Sequence, residues 1–265
     1  MNRFLLNTLL SVVVFSMSST VRAELKPAKH AVHKKSPTSS ASSASSISQS
    51  TLWDAWYTVT VNDKIPYAYY NEKAEVTEGR AHIQLRVWKK EEGFINEENF
   101  GEFAKTDSDL TPLFYNYRIT YKTSETLIDG TIDENRLLTT KVRKNAQDVP
   151  TASKQLPKNA ILSYMFPIWL AQRAPTLKQD QSLSFYALSE DALDTGFPVT
   201  TGSITLMKAD EVATKTKTKR IKVNFMDADS FWWVGPKGNA IAIDTPQRKV
   251  LVQLVSKEKA LGFLK

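Results

Sequence analysis

From Leu52 onward, apolar and polar residues alternate with period two along most of this chain. Ala55, Tyr57, Val59 and Val61 alternate with Trp56, Thr58 and Thr60. Ala81, Ile83, Leu85 and Val87 alternate with His82, Gln84 and Arg86; Leu113, Tyr115, Tyr117, Ile119 and Tyr121 alternate with Phe114, Asn116, Arg118 and Thr120. Successive side chains of a strand point to opposite faces, so these are strands with one buried and one wetter face. Weaker runs cover 126–132 and 136–143, and further ones 181–188, 203–212, 219–226, 230–235, 239–244 and 249–255. Turn residues separate them: Asn62-Asp63, Glu78-Gly79, Asp129-Gly130, 235–238 and Thr245-Pro246. Consecutive strands at this spacing form antiparallel meanders.

One segment breaks the alternation. Ile161, Met165, Ile168 and Trp169 have helical spacing, and the stretch 160–171 is apolar nearly all round. Such a helix is buried against a sheet. Asn159 is placed to cap it, and Pro167, lacking a backbone donor, should bend or interrupt it. The expected fold class is mainly β (α+β): about ten strands in a large curved antiparallel sheet, a half-barrel packed around one buried mid-chain helix. The strands before and after the helix read as two halves of one sheet.

The first fifty residues are of another kind. Arg3 precedes an apolar run from Phe4 to Met17, and Val21-Arg22-Ala23 offers small residues at a signal-peptidase site. Residues 1–23 are therefore expected to be a signal peptide, too short and too broken by Asn7, Thr8 and Ser11 for a membrane span. Residues 24–51 read as a disordered basic and Ser-rich tether, with nine serines between Ser36 and Ser50. Residues 52–265 form a single β-rich domain. The product expected is periplasmic, soluble and not lipidated, with no transmembrane segment after cleavage.

Charge and cysteine content narrow the chemistry. Of the net +7, two charges leave with Arg3 and Arg22 and three belong to Lys26, Lys29, Lys34 and Lys35 against Glu24, which leaves +2 for residues 51–265. The folded part is near neutral, so nucleic acid is not expected as a partner. With no cysteine in the chain, disulfide staples, thiol catalysis and thiolate zinc sites are excluded.

The opening strand 56–65, the segment Asp109-Leu110-Thr111-Pro112-Leu113, the apolar helix of 161–171 and the ending Asp244-Thr245-Pro246 followed by 256–260 together resemble exported bacterial domains of unknown function. That group is distantly similar to lipoprotein-carrier half-barrels, and the resemblance spans most of 52–264. It implies an antiparallel half-barrel around a helix, an apolar cavity and no catalysis. No diagnostic motif matches, so no site residue is carried over.

No catalytic signature stands out from the residues themselves. His82 lies on the polar side of its strand, with no G-x-S-x-G serine for a triad. Ser256 and Lys259 have the spacing of a Ser–Lys dyad, but in a charged terminal segment. The acid groups Asp107/Asp109, Asp227/Asp229 and Glu190/Asp191/Asp194 read as solvated turns, lacking the spacing of glycosidase or calcium sites. His30 and His33 leave most metal positions unfilled; no metal or cofactor is expected.

The first functional expectation is a non-enzymatic periplasmic binding protein with an apolar cavity for a lipid or acyl-chain ligand. Met165, Trp169, Trp56 and Trp88 would line it, and Lys215, Lys217 and Lys219 would ring its mouth. The bland reading of those lysines is a solvated hairpin tip. The alternative is an envelope protein–protein interaction module with a filled core, docking through an edge or through Trp232 and Trp233.

Overall fold

The computed structural model describes residues 50–62, 64–190, 192 and 196–265. The expected signal peptide (1–23) and nearly all of the expected tether (24–51) lie outside the described residues; the first strand begins at Ser50.

One sheet of 15 strands dominates. β1 (Ser50–Val61), β2 (Ile65–Thr77), β3 (Arg80–Glu91), β4 (Phe94–Lys105), β5 (Pro112–Tyr121), β6 (Ser124–Ile132), β7 (Leu137–Lys144) and β8 (Gln147–Gln155) form an antiparallel meander. The chain then makes a short strand at the opposite edge, β9 (Ala160–Leu162), and a helical segment, 163–173. It returns through β10 (Ser182–Leu188), β11 (Val199–Leu206), β12 (Lys219–Phe225), β13 (Ala228–Val234), β14 (Ala240–Thr245) and β15 (Val250–Val255). β15 pairs antiparallel with β1, so the first strand lies inside the sheet and joins its two halves. β9 and β10 form the one parallel pair among the described residues. The curved half-barrel with a buried mid-chain helix is thus the architecture observed.

Register carries one face across the first half: Tyr57 pairs with Tyr70, Tyr70 with Val87, and Val87 with Glu98. On this inner face lies the helical segment, a single 3-10 turn (Ser163–Met165) running into α1 (Phe166–Arg173). Phe166 packs at 5.2 Å edge-on to Trp232, 4.9 Å from Phe185 and 5.8 Å from Trp169. Pro167 does not interrupt the helix; it sits in the first turn, where its missing N–H has no helical partner to lose. Lys219 donates to the Ala174 carbonyl just past the end of α1, a cation where the helix dipole is negative.

Three expectations are corrected. The sheet has more strands than the alternation shows, because β2, β4, β8 and β9 were not legible. Asp129-Gly130 is no turn: Gly130 lies mid-strand in β6, where a Cβ would meet Tyr115 Cε1 at 2.0 Å. The hairpin tip expected around 213–217 is instead a helix, α2 (Glu211–Thr216), capped by Asp210 accepting from the Ala213 N–H at 2.8 Å.

The β13–β14 turn holds α1 from below. Gly238 has φ +96°, and a Cβ there would lie 2.2 Å from Ala171 Cβ and 3.2 Å from its Cα. Gly238→Ala is therefore expected to cost about 2–3 kcal/mol from backbone strain and clash together. Urea unfolding should show a lower midpoint at unchanged slope, whereas an unmoved midpoint would mean that the turn does not bear on the helix.

Candidate functional site

The inner face is not uniformly apolar. β4 alternates so that Asn96, Glu98, Phe100, Glu102 and Ala104 point inward, and all are buried. Lys89 on β3 closes an ion pair with Glu98 at 2.5 Å. Beside it Asn96 donates to Glu91 at 2.9 Å, and Tyr67 donates to the other Glu91 oxygen at 3.1 Å. Two further acids sit deeper. Glu72 on β2 accepts from the Trp53 indole at 2.7 Å; burial pushes its carboxyl up to about 7. Glu190, just past β10, accepts from both the backbone N–H and the hydroxyl of Ser163 at 2.5 Å. Burial raises it to about 7 as well, against the downward pull of those hydrogen bonds.

Glu102 turns its carboxyl towards Glu190 and towards the backbone N–H groups of Tyr164 and Met165, without closing any of these to full hydrogen-bond geometry. Burial first, and the neighbouring Glu190 second, hold it well above the ordinary carboxylate range. Two buried carboxyls facing each other cannot both ionise cheaply, so they retain a proton between them. The pair clasps the first helical turn to the sheet.

Next to this clasp lies a buried cavity of about 30 Å³, bounded by Tyr57, Tyr70 and Glu72 of the first half, Phe166 of the helix, and Phe185 and Trp232 of the second half. Its volume is that of about two water molecules. Tyr57 donates from its hydroxyl to the Ala240 carbonyl at 3.0 Å, and burial keeps the Tyr57 and Tyr70 hydroxyls protonated. A second, larger cleft of about 120 Å³ opens outside, between Asp109, Asn159, Trp169, Arg173, Ser184 and Phe185. Phe185 is common to the lining of both.

Of the residues expected to line the cavity, Trp169 lies 5 % exposed on α1 and borders the outer cleft. Met165 is fully buried and borders neither space. Trp56 and Trp88 belong to the other face of the sheet: their rings stack at 6.0 Å and pack with Tyr69 beneath α3 (Lys257–Leu261) and Leu264. They are corrected from lining to outer-face packing, because even positions of β1 and β3 point away from the helix. Lys215 and Lys217 are exposed on α2 and its cap, away from either space; Lys219 alone faces inward, and serves the end of α1.

Several candidate groups take ordinary roles. Ser256 caps α3 by accepting from the Lys259 N–H at 3.3 Å, which explains the S-x-x-K spacing. His82 stacks on Phe103 at 3.9 Å on the outer face, and burial lowers its pKa. Trp232 and Trp233 are buried, Trp233 donating to Asp210 at 3.0 Å, so they offer no exposed docking patch. Glu190, expected in a solvated turn, is 1 % exposed; sequence reasoning missed it along with the buried Glu72, Glu102 and the Lys89–Glu98 pair. Among the described residues no cluster of His, Asp and Glu is arranged to hold a metal, and no helix is long and apolar enough to cross a membrane.

Neither a family model nor a curated protein matches the chain. Two solved structures are similar in shape. A β-barrel-like protein of the domain of unknown function DUF1849 from Brucella abortus shares 9% identity, covering 79% of this chain and 96% of its own, with TM-score 0.49. A DUF1089 family protein from Pseudomonas aeruginosa shares 13%, covering 69% and 90%, with TM-score 0.42. Both are described as domains of unknown function.

Proposed function

We propose that this chain is an exported envelope protein, periplasmic once its signal is removed, that works by binding and not by catalysis. The ligand is lipid-like. The observation that carries this reading is the paired space at Phe185: a buried, mainly apolar cavity on one side and a polar surface cleft on the other. That is the polarity profile of an amphiphile. Burial of an acyl chain supplies ~25 cal/mol per Å² before the costs of association. In the closed form the inner cavity is too small for such a chain, so binding requires the rings around Phe166 and Phe185 to move.

The small inner volume favours a second reading, an interaction module whose core is simply filled and whose partner is met at the surface. Native mass spectrometry of the protein purified from the periplasm without detergent separates the two. A co-purified lipid released on denaturation is expected. A bare protein mass, with no uptake of added monoacyl lipid, would overturn the lipid reading and leave the filled-core module.

A further inference from the structure

The charges around the outer cleft cancel. Arg173 Nη2 stands 4.0 Å from Asp109 Oδ1, and Arg136 feels both Asp107 and Asp109. The Arg173 guanidinium is fixed over the Trp169 ring, 4.5 Å from its centroid, and donates to the Ser108 carbonyl at 2.5 Å. Asn159 adds an amide at the exposed side, and Ser184 borders the cleft from β10. A carboxylate or phosphate head would gain Arg173 but meet Asp109; an ammonium head would meet the reverse. A neutral head with several hydroxyls suits every group, since each hydroxyl both donates and accepts. The volume of about 120 Å³ corresponds to roughly ten waters at ~10–15 Å³ each, room for a glycerol or a single sugar.

Phe185 is the residue that borders both spaces. Phe185 lies on the backbone of Gly202, where a Cβ would stand 2.3 Å from its Cζ. Around it are Phe166 at 4.9 Å, Trp169 at 5.3 Å and Phe225 at 5.4 Å.

We propose that the cleft between Asp109, Asn159, Arg173 and Ser184 binds the neutral, hydroxyl-rich head of an amphiphile such as a monoacylglycerol, and that Phe185 is the partition its tail displaces. The assignment rests on the lipid-like reading above. Calorimetric titration of the full chain with glycerol monolaurate, laurate and dodecanol, each below its aggregation limit, tests it. Glycerol monolaurate is expected to bind most tightly. Arg173→Gln and the exposed-side Asn159→Ala should each weaken it about ten-fold, as expected for hydrogen bonds to charged or polar groups, while dodecanol binding stays unchanged. Phe185→Leu should strengthen all three. Equal binding of glycerol monolaurate and dodecanol, with a ratio that Arg173→Gln and Asn159→Ala leave alone, would remove the head-group site and leave the interior reading standing. A preference for laurate would overturn the head-group class. Binding of none of the three, by the wild type or by Phe185→Leu, would remove the interior reading and this site together.

Discussion

Raising the pH from about 5 to about 8 is expected to destabilise the fold, the opposite of what paired surface carboxylates produce. Three buried carboxyls set the sign. Glu72 is raised from 4.5 to about 7 by burial. Glu190 is raised to about 7 by burial, and Glu102 is raised by burial and by Glu190. A carboxyl with a higher pKa in the folded state keeps its proton where the unfolded chain has already lost one. Its contribution is complete below about 4.5, falls as the pH rises towards about 7, and is gone above it. At 1.36 kcal/mol per unit, Glu72 alone amounts to about 3 kcal/mol, and the Glu102–Glu190 pair acts in the same direction. His82 opposes this, because burial lowers its pKa, but it is one half-buried group. The acids held low, Asp107, Asp210 and Asp229 among them, act below the window in question. Urea midpoints at the two pH values measure the effect, and Glu72→Gln and Glu102→Gln should each flatten the dependence. A protein equally stable or more stable at the higher pH would show that these carboxyls are hydrated in solution.

The second large effect is expected at Lys89. The residue is 3 % exposed, and its ammonium lies 2.5 Å from Glu98, itself 6 % exposed. Lys89→Met leaves a buried carboxylate without its cation and is expected to cost about 3–5 kcal/mol. The double variant Lys89→Met with Glu98→Leu should recover most of that, because apolar residues of similar volume replace a buried pair at little net cost. Chemical denaturation of the two single variants and the double one completes the cycle. Additive losses would mean that the two groups do not interact, and a loss under about 1 kcal/mol for Lys89→Met would mean that water reaches Glu98.

The strands that sequence reasoning found, β1, β3 and β5, carry apolar side chains on their inner face, so alternation and burial coincide. β4 was not legible because its inward positions hold Asn96, Glu98 and Glu102. Polar residues on the buried side erase the hydrophobic period, and those same residues build the interior network, so strand and site were hidden by one cause. β8 was missed for the reverse reason: as an edge strand it is exposed on both faces and shows no contrast. Glu190 could not be told from a turn acid, since its partner Glu102 is far off in sequence. Other signals were present and misweighed. Asp210 followed by Glu211 is an ordinary helix start, and the alternation that put Tyr57 inside already put Trp56 outside. Trp169 was correctly placed on a buried helix, but only the fold shows that it borders the cleft.

The seam between β1 and β15 has a kinetic consequence. Almost every other pairing joins neighbours in sequence, as in β2–β3 or β12–β13, and closes a short loop. At the seam, Thr60 donates to Leu251 across 191 positions, and Tyr57 reaches Ala240 across 183. Short loops close quickly and long ones slowly. Each half therefore assembles its own hairpins early, while the union of the halves around the helix is the slow, late event. Until that union the Glu102 carboxyl, whose partner Glu190 lies in the second half, remains wet and ionised, so uptake of protons accompanies the last step of folding.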